Sequence, residues 1–465
     1  MRTQALGNRT RHSGLLARRD VLRAGGLGLF GLSTARLEAA REFQSQPAPT
    51  ARAVIFLYQF GGPSHGDTLD MKPLAPDGVR SHFPAIATSC PDIRACDQLP
   101  ELAKVMNKVT LVRTVHHHMK NHNSASYFAL TGVAPTIDDI RLKDTDELHP
   151  AYGSIVQKLV PAGTGMPGFV ALPHVIRDGS ITPGQRATFL GKAQDPLLIT
   201  QDPASPEFHL PELTLPDHLT ADRMQSRRSM QELLNRQSSL MDDSAAVLGF
   251  DAQYQRAMAM LNTPHVRNAF DLSQEPESLR RKYGMTTYGQ SCLLARRLVE
   301  GGVKFINVYF SDTIGGRYAG KGGWDTHGFD NTRMYPVLKN WQLPLTDQTL
   351  PTLLTDLDER GLLDETLVVW MGEFGRTPRI NANVSRDHWP HCFTALLAGG
   401  GTKRGFVYGE SDRSGAYPAR DPVHIGDLAA TIYRAVGIDA ATEIHDATGR
   451  PFRVATGNPV LDVFA

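Results

Sequence analysis

Three short stretches of this chain concentrate carboxylates and imidazoles in a pattern that could hold a cation. They are Gly323-Trp324-Asp325-Thr326-His327-Gly328, Gly372-Glu373-Phe374-Gly375-Arg376-Thr377-Pro378 and Arg386-Asp387-His388-Trp389-Pro390-His391. Mixed carboxylate and imidazole donors suit Zn²⁺ and similar divalent ions. Such an ion can polarise an ester oxygen or bring the pKa of a bound water toward neutrality. Asp325, His327, Glu373 and His388 are the candidate ligands, and Glu373 is alternatively a general base whose pKa partial burial would raise. Arg376 could grip a phosphate, sulfate or carboxylate in bidentate fashion, or form a structural ion pair instead. Plainer readings stand beside these. Asp-x-His recurs by chance, Glu373 could bond loop amides, Asp387 could cap a turn, and Trp324 and Trp389 could only pack.

Two further stretches are candidates. His65 lies beside Ser64 and Asp67, after Gly61-Gly62-Pro63. The run His116-His117-His118-Met119-Lys120-Asn121-His122 is either a solvated loop or the source of one or two side chains for the same cleft. The sequence has no G-x-S-x-G elbow, no Walker loop and no G-x-G-x-x-G between a strand and a helix.

The elements that must position these residues alternate between strand and helix. Ala53 to Tyr58, Thr366 to Met371 and Phe393 to Ala398 are continuous apolar runs, as in strands buried on both faces, and Val109 to Val115 and Lys304 to Tyr309 are further strands. The polar stretches follow or flank such strands, at the edge where parallel α/β sheets build their sites. Helices are expected over Leu99 to Met106, from Ser124 to Leu130, over Thr287 to Glu300 before Gly301-Gly302, over Leu343 to Arg360 before Gly361, and over Gly426 to Val436. Prolines recur from Pro173 to Pro216 and suggest a long surface insertion, and Leu219 to Leu261 has the spacing of amphipathic helices. The expected architecture is an α/β sandwich over 53–465, with an irregular and helical insertion at about 173–261.

The 465 residues carry 49 basic and 48 acidic groups, a net charge of +1, which recommends neither nucleic acid nor an anionic membrane as partner. The four cysteines, Cys90, Cys96, Cys292 and Cys392, form no C-x-x-C pair; Cys90 and Cys96 could join in a disulfide, or all four could be thiols. At the N-terminus, Arg18-Arg19-Asp20-Val21-Leu22-Arg23 precedes a mildly apolar run from Ala24 to Ala35, too short to span a bilayer. This pattern makes 1–40 a twin-arginine signal and 41–52 a linker, with the twin-arginine translocase as partner and a periplasmic or extracellular destination. Cleavage near Ala39-Ala40 is poorly marked because Glu38 stands where a small residue belongs, so an uncleaved anchor is the alternative. No other segment has transmembrane length.

Taken together, Phe60-Gly-Gly-Pro-Ser-His65, Asp70-Met-Lys-Pro73, Gly323-Trp-Asp-Thr-His327, Met371-Gly-Glu-Phe-Gly-Arg-Thr-Pro378 and Arg386-Asp-His-Trp389 resemble the exported bacterial family known as domain of unknown function 1501. Leu362 to Trp370, Ser126 to Gly132 and Asp427 to Gly437 further resemble passages of the alkaline phosphatase–sulfatase superfamily. The resemblance implies a three-layer sandwich: a mixed, mostly parallel sheet with helices on both faces. It implies one or two divalent metals, Zn²⁺ or Ca²⁺, and hydrolysis of phosphate or sulfate esters. Asp325, His327 and His388 fall at metal-ligand positions, and Glu373 at that of an aspartate ligand, but Phe374 replaces the histidine that should follow it. The acidic ligand after the first strand is missing from Gln59 to Gly62, with Asp67 and Asp70 further on. The nucleophile position falls near His122 and Asn123, with Ser124 and Ser126 shifted from it.

The resulting expectation is a metal-dependent hydrolase in which a metal-activated water, or Ser124, attacks a small anionic or sugar-bearing ester oriented by His65, Asn123 and Arg376. The rival is a catalytically inactive binding or assembly protein of the cell envelope. A third idea gives the Pro173–Leu261 insertion the task of docking a partner.

Overall fold

The apolar runs of the sequence form the centre of one sheet in the computed structural model, which describes residues 46–163, 165–209, 263–312, 314–315, 322–328 and 333–465. The sheet strands are β1 Ala53–Tyr58, β2 Val109–His116, β3 Phe169–Leu172, β4 Leu197–Leu198, β5 Phe305–Tyr309, β6 Thr366–Met371, β7 Phe393–Ala398, β8 Phe406–Tyr408 and β9 Val423–His424. Their spatial order is β8-β2-β7-β6-β1-β5-β3-β4, with β9 also paired to β2. Only β7 runs antiparallel to its neighbours; the other pairings are parallel. Register sets Tyr58 opposite both Tyr309 and Met371, so β1, β5 and β6 end level and send their following loops to one edge.

Alternation along β1 shows why both faces are covered. Ile55 and Leu57 join one apolar core with Leu294, Leu298, Leu350 and Leu354, while Val54, Phe56 and Tyr58 join a second with Phe128, Ile155, Leu428 and Ile432. The first core packs helices α1 Pro100–Lys104, α4 Pro264–Phe270, α5 Glu277–Tyr283, α6 Thr287–Gly301 and α7 Leu343–Glu359. The second packs α2 His122–Thr131, α3 Tyr152–Leu159 and α8 Ile425–Ala435. Start and stop signals are local: Thr286 accepts from the Gly289 amide to cap α6, and Gly302, at φ +99°, ends it. The sandwich is therefore three-layered, with a mixed, mostly parallel sheet.

Residues 173–209 carry only short elements and are not wholly superficial. Ile176, Thr182, Ala187 and Ile199 are buried, and Leu197–Leu198 extends the sheet edge as β4. The 1–40 leader and the helices expected over Leu219–Leu261 lie outside the described residues. Cys90, Cys96, Cys292 and Cys392 are buried free thiols, so the Cys90–Cys96 disulfide is not formed. Among the described residues no helix is long and apolar enough to cross a membrane.

Candidate metal centre

Five loops meet at the C-terminal edge of β1, β5 and β6. The loop after β1 can lie against the loop carrying Asp325 because residue 61 is glycine, at φ +107°: a Cβ there would sit 2.3 Å from the Asp325 nitrogen. The backbone locks this approach, with the Trp324 amide donating to the Phe60 carbonyl at 2.7 Å. A two-stranded ribbon, Gly375–Arg376 with His388–Trp389, brings the third polar stretch alongside the second and pairs Arg376 with His388. The histidine run after β2 delivers His122 as the first residue of α2.

Asp325, His388 and His122 converge. Asp325 Oδ1 lies 3.0 Å from His388 Nε2 and 3.4 Å from His122 Nε2, and Asp325 Oδ2 lies 2.9 Å from His327 Nε2. One ligand atom from each of His122, Asp325 and His388 falls within 4.8 Å of the others, a spacing compatible with one shared ion.

The far nitrogens of the two rings decide the chemistry. His122 Nδ1 is 2.6 Å from Glu373 Oε1, and His388 Nδ1 is 2.8 Å from the Lys120 carbonyl. Both partners only accept, so Nδ1 carries the proton in each ring and Nε2 presents its lone pair in the neutral form. Two imidazole lone pairs thus face one carboxylate oxygen, and the buried Nε2 of His122 has no hydrogen-bond partner. That arrangement demands a positive charge. Burial pulls His122 down, but the Asp325 and Glu373 carboxylates outweigh it and push its pKa up to about 10, so a proton on Nε2 is one way to meet the demand. A divalent cation shared by the three side chains is the other, and the donor set fits it. Burial pushes His388 down to about 4, leaving it neutral and able to ligate. Asp325, which burial alone would raise, is held well below the usual carboxylate range by His122 and Arg376.

The remaining expected site residues are placed differently. Glu373 is fully buried and its oxygens are occupied: Oε1 accepts from the Gly61 amide at 2.8 Å as well as facing His122, and Oε2 lies 3.2 Å from the Tyr58 hydroxyl. It stands behind His122 as the carboxylate that orients that imidazole, outside the three side chains that could share an ion. Arg376 donates to the Gly61, Gly62, Trp324 and Arg386 carbonyls and to Asp325 Oδ1 at 2.8 Å, so it braces the loops from a buried position. The Ser124 hydroxyl is buried, donates to the Ile137 carbonyl at 2.9 Å and accepts from the Asp139 amide at 2.9 Å; it anchors that loop and is not poised as a nucleophile. Asn123 accepts from the Thr182 hydroxyl at 2.8 Å and donates to the Asp178 carbonyl at 3.2 Å, holding the hairpin over 177–181 against α2. His65 is buried with Nε2 2.8 Å from the Gly415 carbonyl, and no described contact joins it to the cluster. Phe374 stacks on His388 with centroids 4.4 Å apart. Asp67 and Asp70 pair with Arg386 and Lys72 and do not ligate.

Two participants were not singled out from sequence. His122 was not named as a ligand: it was one of four histidines in a run, set apart by lying near the expected nucleophile position, and it proves to be the first residue of a helix after a buried strand. Asp178 carries a buried oxygen without a partner, and burial raises its pKa, as do the nearby Asp325 and Glu373 charges. No local motif marks it.

Solved structures with a similar chain path include a sulfatase, PsFucS1, from Pseudoalteromonas sp. (14% identity, 86% of this chain and 70% of that one, TM-score 0.40). Others are an alkaline phosphatase superfamily protein from Vibrio parahaemolyticus (11%, 85% and 69%, TM-score 0.41) and the periplasmic domain of EcEptC from Escherichia coli in complex with Zn (12%, 90% and 92%, TM-score 0.38). At such distance none of their chemistry carries over to this chain. No curated protein sequence matches it. Residues 51–464 match the family described as "Protein of unknown function (DUF1501)", and the chain belongs to that family.

Proposed function

We propose that this protein is an exported metal-dependent hydrolase of phosphate or sulfate esters. The carrying observation is the convergence of the His122 and His388 Nε2 atoms on Asp325 Oδ1, at 3.4 and 3.0 Å. Two nitrogens and an oxygen suit Zn²⁺ better than Ca²⁺, which prefers an all-oxygen shell. When bound there, the ion would polarise an ester oxygen or acidify a water. The chain's own residues do the rest. Glu373 and the Lys120 carbonyl hold the two rings in the ligating tautomer, and Arg376 keeps Asp325 ionised and in place. His327, partly exposed beside Asp325 Oδ2, replaces the enclosed Glu373 as the group able to carry a proton in or out. The ester class rests on the motif resemblance of the sequence. Export through the Arg18-Arg19 leader belongs to the same proposal, and four buried free thiols suit a chain that folds in a reducing compartment before export.

A specific observation favours a second reading, an inactive envelope-binding protein: the Ser124 hydroxyl is committed to the 137–139 loop, and Phe374, where the resemblance expects a histidine, offers no donor and stacks on His388. Metal analysis of full-length protein purified without chelator, with turnover of aryl phosphate and aryl sulfate, separates the two. The hydrolase reading expects about one ion per chain, and loss of both ion and turnover in Asp325→Ala. Metal-free protein that turns over neither ester ends it.

A further inference from the structure

Behind His122, on the Nδ1 side of its ring, Tyr58, Ser126 and Glu373 form a closed polar group. Three elements supply it. Tyr58 is the last residue of β1, and Glu373 follows the end of β6, whose Met371 lies opposite Tyr58 in the register. Ser126 comes four residues after His122 on α2, so both side chains leave the same face of that helix. All three members of the group are buried.

The group holds fewer protons than it has acceptors. Glu373 Oε1 is served twice, by His122 Nδ1 at 2.6 Å and by the Gly61 amide at 2.8 Å. Among the described residues Oε2 meets only the Tyr58 hydroxyl, at 3.2 Å. That hydroxyl has a single proton and a second acceptor, Ser126 Oγ, at 2.7 Å. Ser126 is the closer partner, but a carboxylate is the stronger acceptor, so neither takes the proton outright. The share that reaches Oε2 matters to His122, because each hydrogen bond a carboxylate accepts lowers its basicity. A less basic Glu373 draws the Nδ1 proton more weakly and leaves Nε2 a poorer electron donor.

We propose that Tyr58 is a positioning residue that sets, through Glu373, the donor strength of His122, by dividing one proton between Ser126 and Glu373. The consequence for a bound ion rests on the metal reading above; the division of the proton does not.

Proton NMR of the full-length, metal-free protein carrying ¹⁵N-labelled histidine reads the chain directly, because a His122 Nδ1 proton shared with a carboxylate resonates far downfield. Calorimetric titration with Zn²⁺ reads its effect on an ion. Tyr58→Phe takes the donor from Oε2, so the His122 proton should move further downfield and Zn²⁺ should bind several-fold more tightly, even though the lost hydroxyl lowers the melting temperature. Ser126→Ala gives the whole proton to Glu373, so the signal should move upfield and Zn²⁺ should bind several-fold more weakly; this helix substitution carries the test alone if the Tyr58 variant does not fold. A purely structural role would loosen the ion in both variants, and that result would overturn the proposal. So would a His122 proton that stays in place or moves downfield in Ser126→Ala. The expected proton shifts in a protein that binds no Zn²⁺ would uphold the proposal and remove the metal reading alone.

Discussion

Two buried carboxylates, Asp67 and Asp325, are surrounded in opposite ways. Asp67 is saturated: Arg386 donates through Nε at 2.6 Å and Nη2 at 3.3 Å, the Tyr335 hydroxyl at 2.9 Å, and Ser64 Oγ completes the set. Asp325 has Arg376 as a guanidinium donor and His327 Nε2 at 2.9 Å from Oδ2, but its Oδ1 also faces the Nε2 atoms of His122 and His388, which bear lone pairs when neutral. The same contrast separates the histidines. His117 uses both nitrogens inside the protein, Nε2 donating to the Glu373 carbonyl at 2.6 Å and Nδ1 accepting from the Met119 amide at 3.0 Å. His122 and His388 use one each and turn the other inward to the same point. A filled polar cluster holds the fold together; an unfilled one of the same residue types is a place for a ligand.

The contrast breaks first at Asp67. Asp67→Asn removes the counter-charge of a guanidinium that is almost wholly buried, and leaving such a charge unpaired costs about 3–5 kcal/mol. Chemical denaturation should show that loss, while the metal content of the folded fraction stays as in wild type. A variant that folds normally but no longer binds the proposed ion would mean the two clusters are not separate in kind.

His117 sharpens the comparison through pH. Burial holds its pKa down to about 4, and the donor and acceptor either side leave no room for a second proton. Between pH 6.5 and 4 the unfolded chain takes up a proton that the folded chain refuses. Its contribution is therefore complete above pH 6.5 and falls as the pH drops toward 4, by about 3 kcal/mol in all. Denaturation of the metal-free protein at stepped pH should show that decline, and His117→Asn should flatten it. An unchanged slope would show that His117 accepts a proton in the fold, and so is not filled as Asp67 is.

How much of this was legible in the sequence follows from the same physics. Strands such as Thr366–Met371 and Phe393–Ala398 were readable to the residue, because burial on both faces writes an unbroken apolar run. Asp325 and His388, 63 positions apart, were readable as donors because glycines and a proline bound their loops. Which of the alternative roles of Glu373 and Arg376 holds was not. Whether a buried carboxylate ligates or orients depends on which of its oxygens are already taken, here by Gly61 and Tyr58, more than 300 residues away. Asp178 was invisible for a related reason: it reaches the site only because Asn123 and Thr182 fold its hairpin back onto α2.

Glu373 supplies the finest test. If it were a ligand, Glu373→Gln would remove one donor from the ion and weaken binding severely. Behind His122, the amide still offers an oxygen to Nδ1–H but no charge, so the ring keeps its tautomer and loses only basicity. The expected result is an affinity for Zn²⁺ lower by about 10–100-fold, with one ion still bound at saturation and no change in the donor atoms seen by X-ray absorption. Glu373→Ala should cost more than Glu373→Gln, because Nδ1, the Gly61 amide and the Tyr58 hydroxyl would all lose their acceptor in a closed space. Equal effects of the two substitutions would show that the charge at 373, and not its place in the hydrogen-bond chain, is what the proposed metal centre uses.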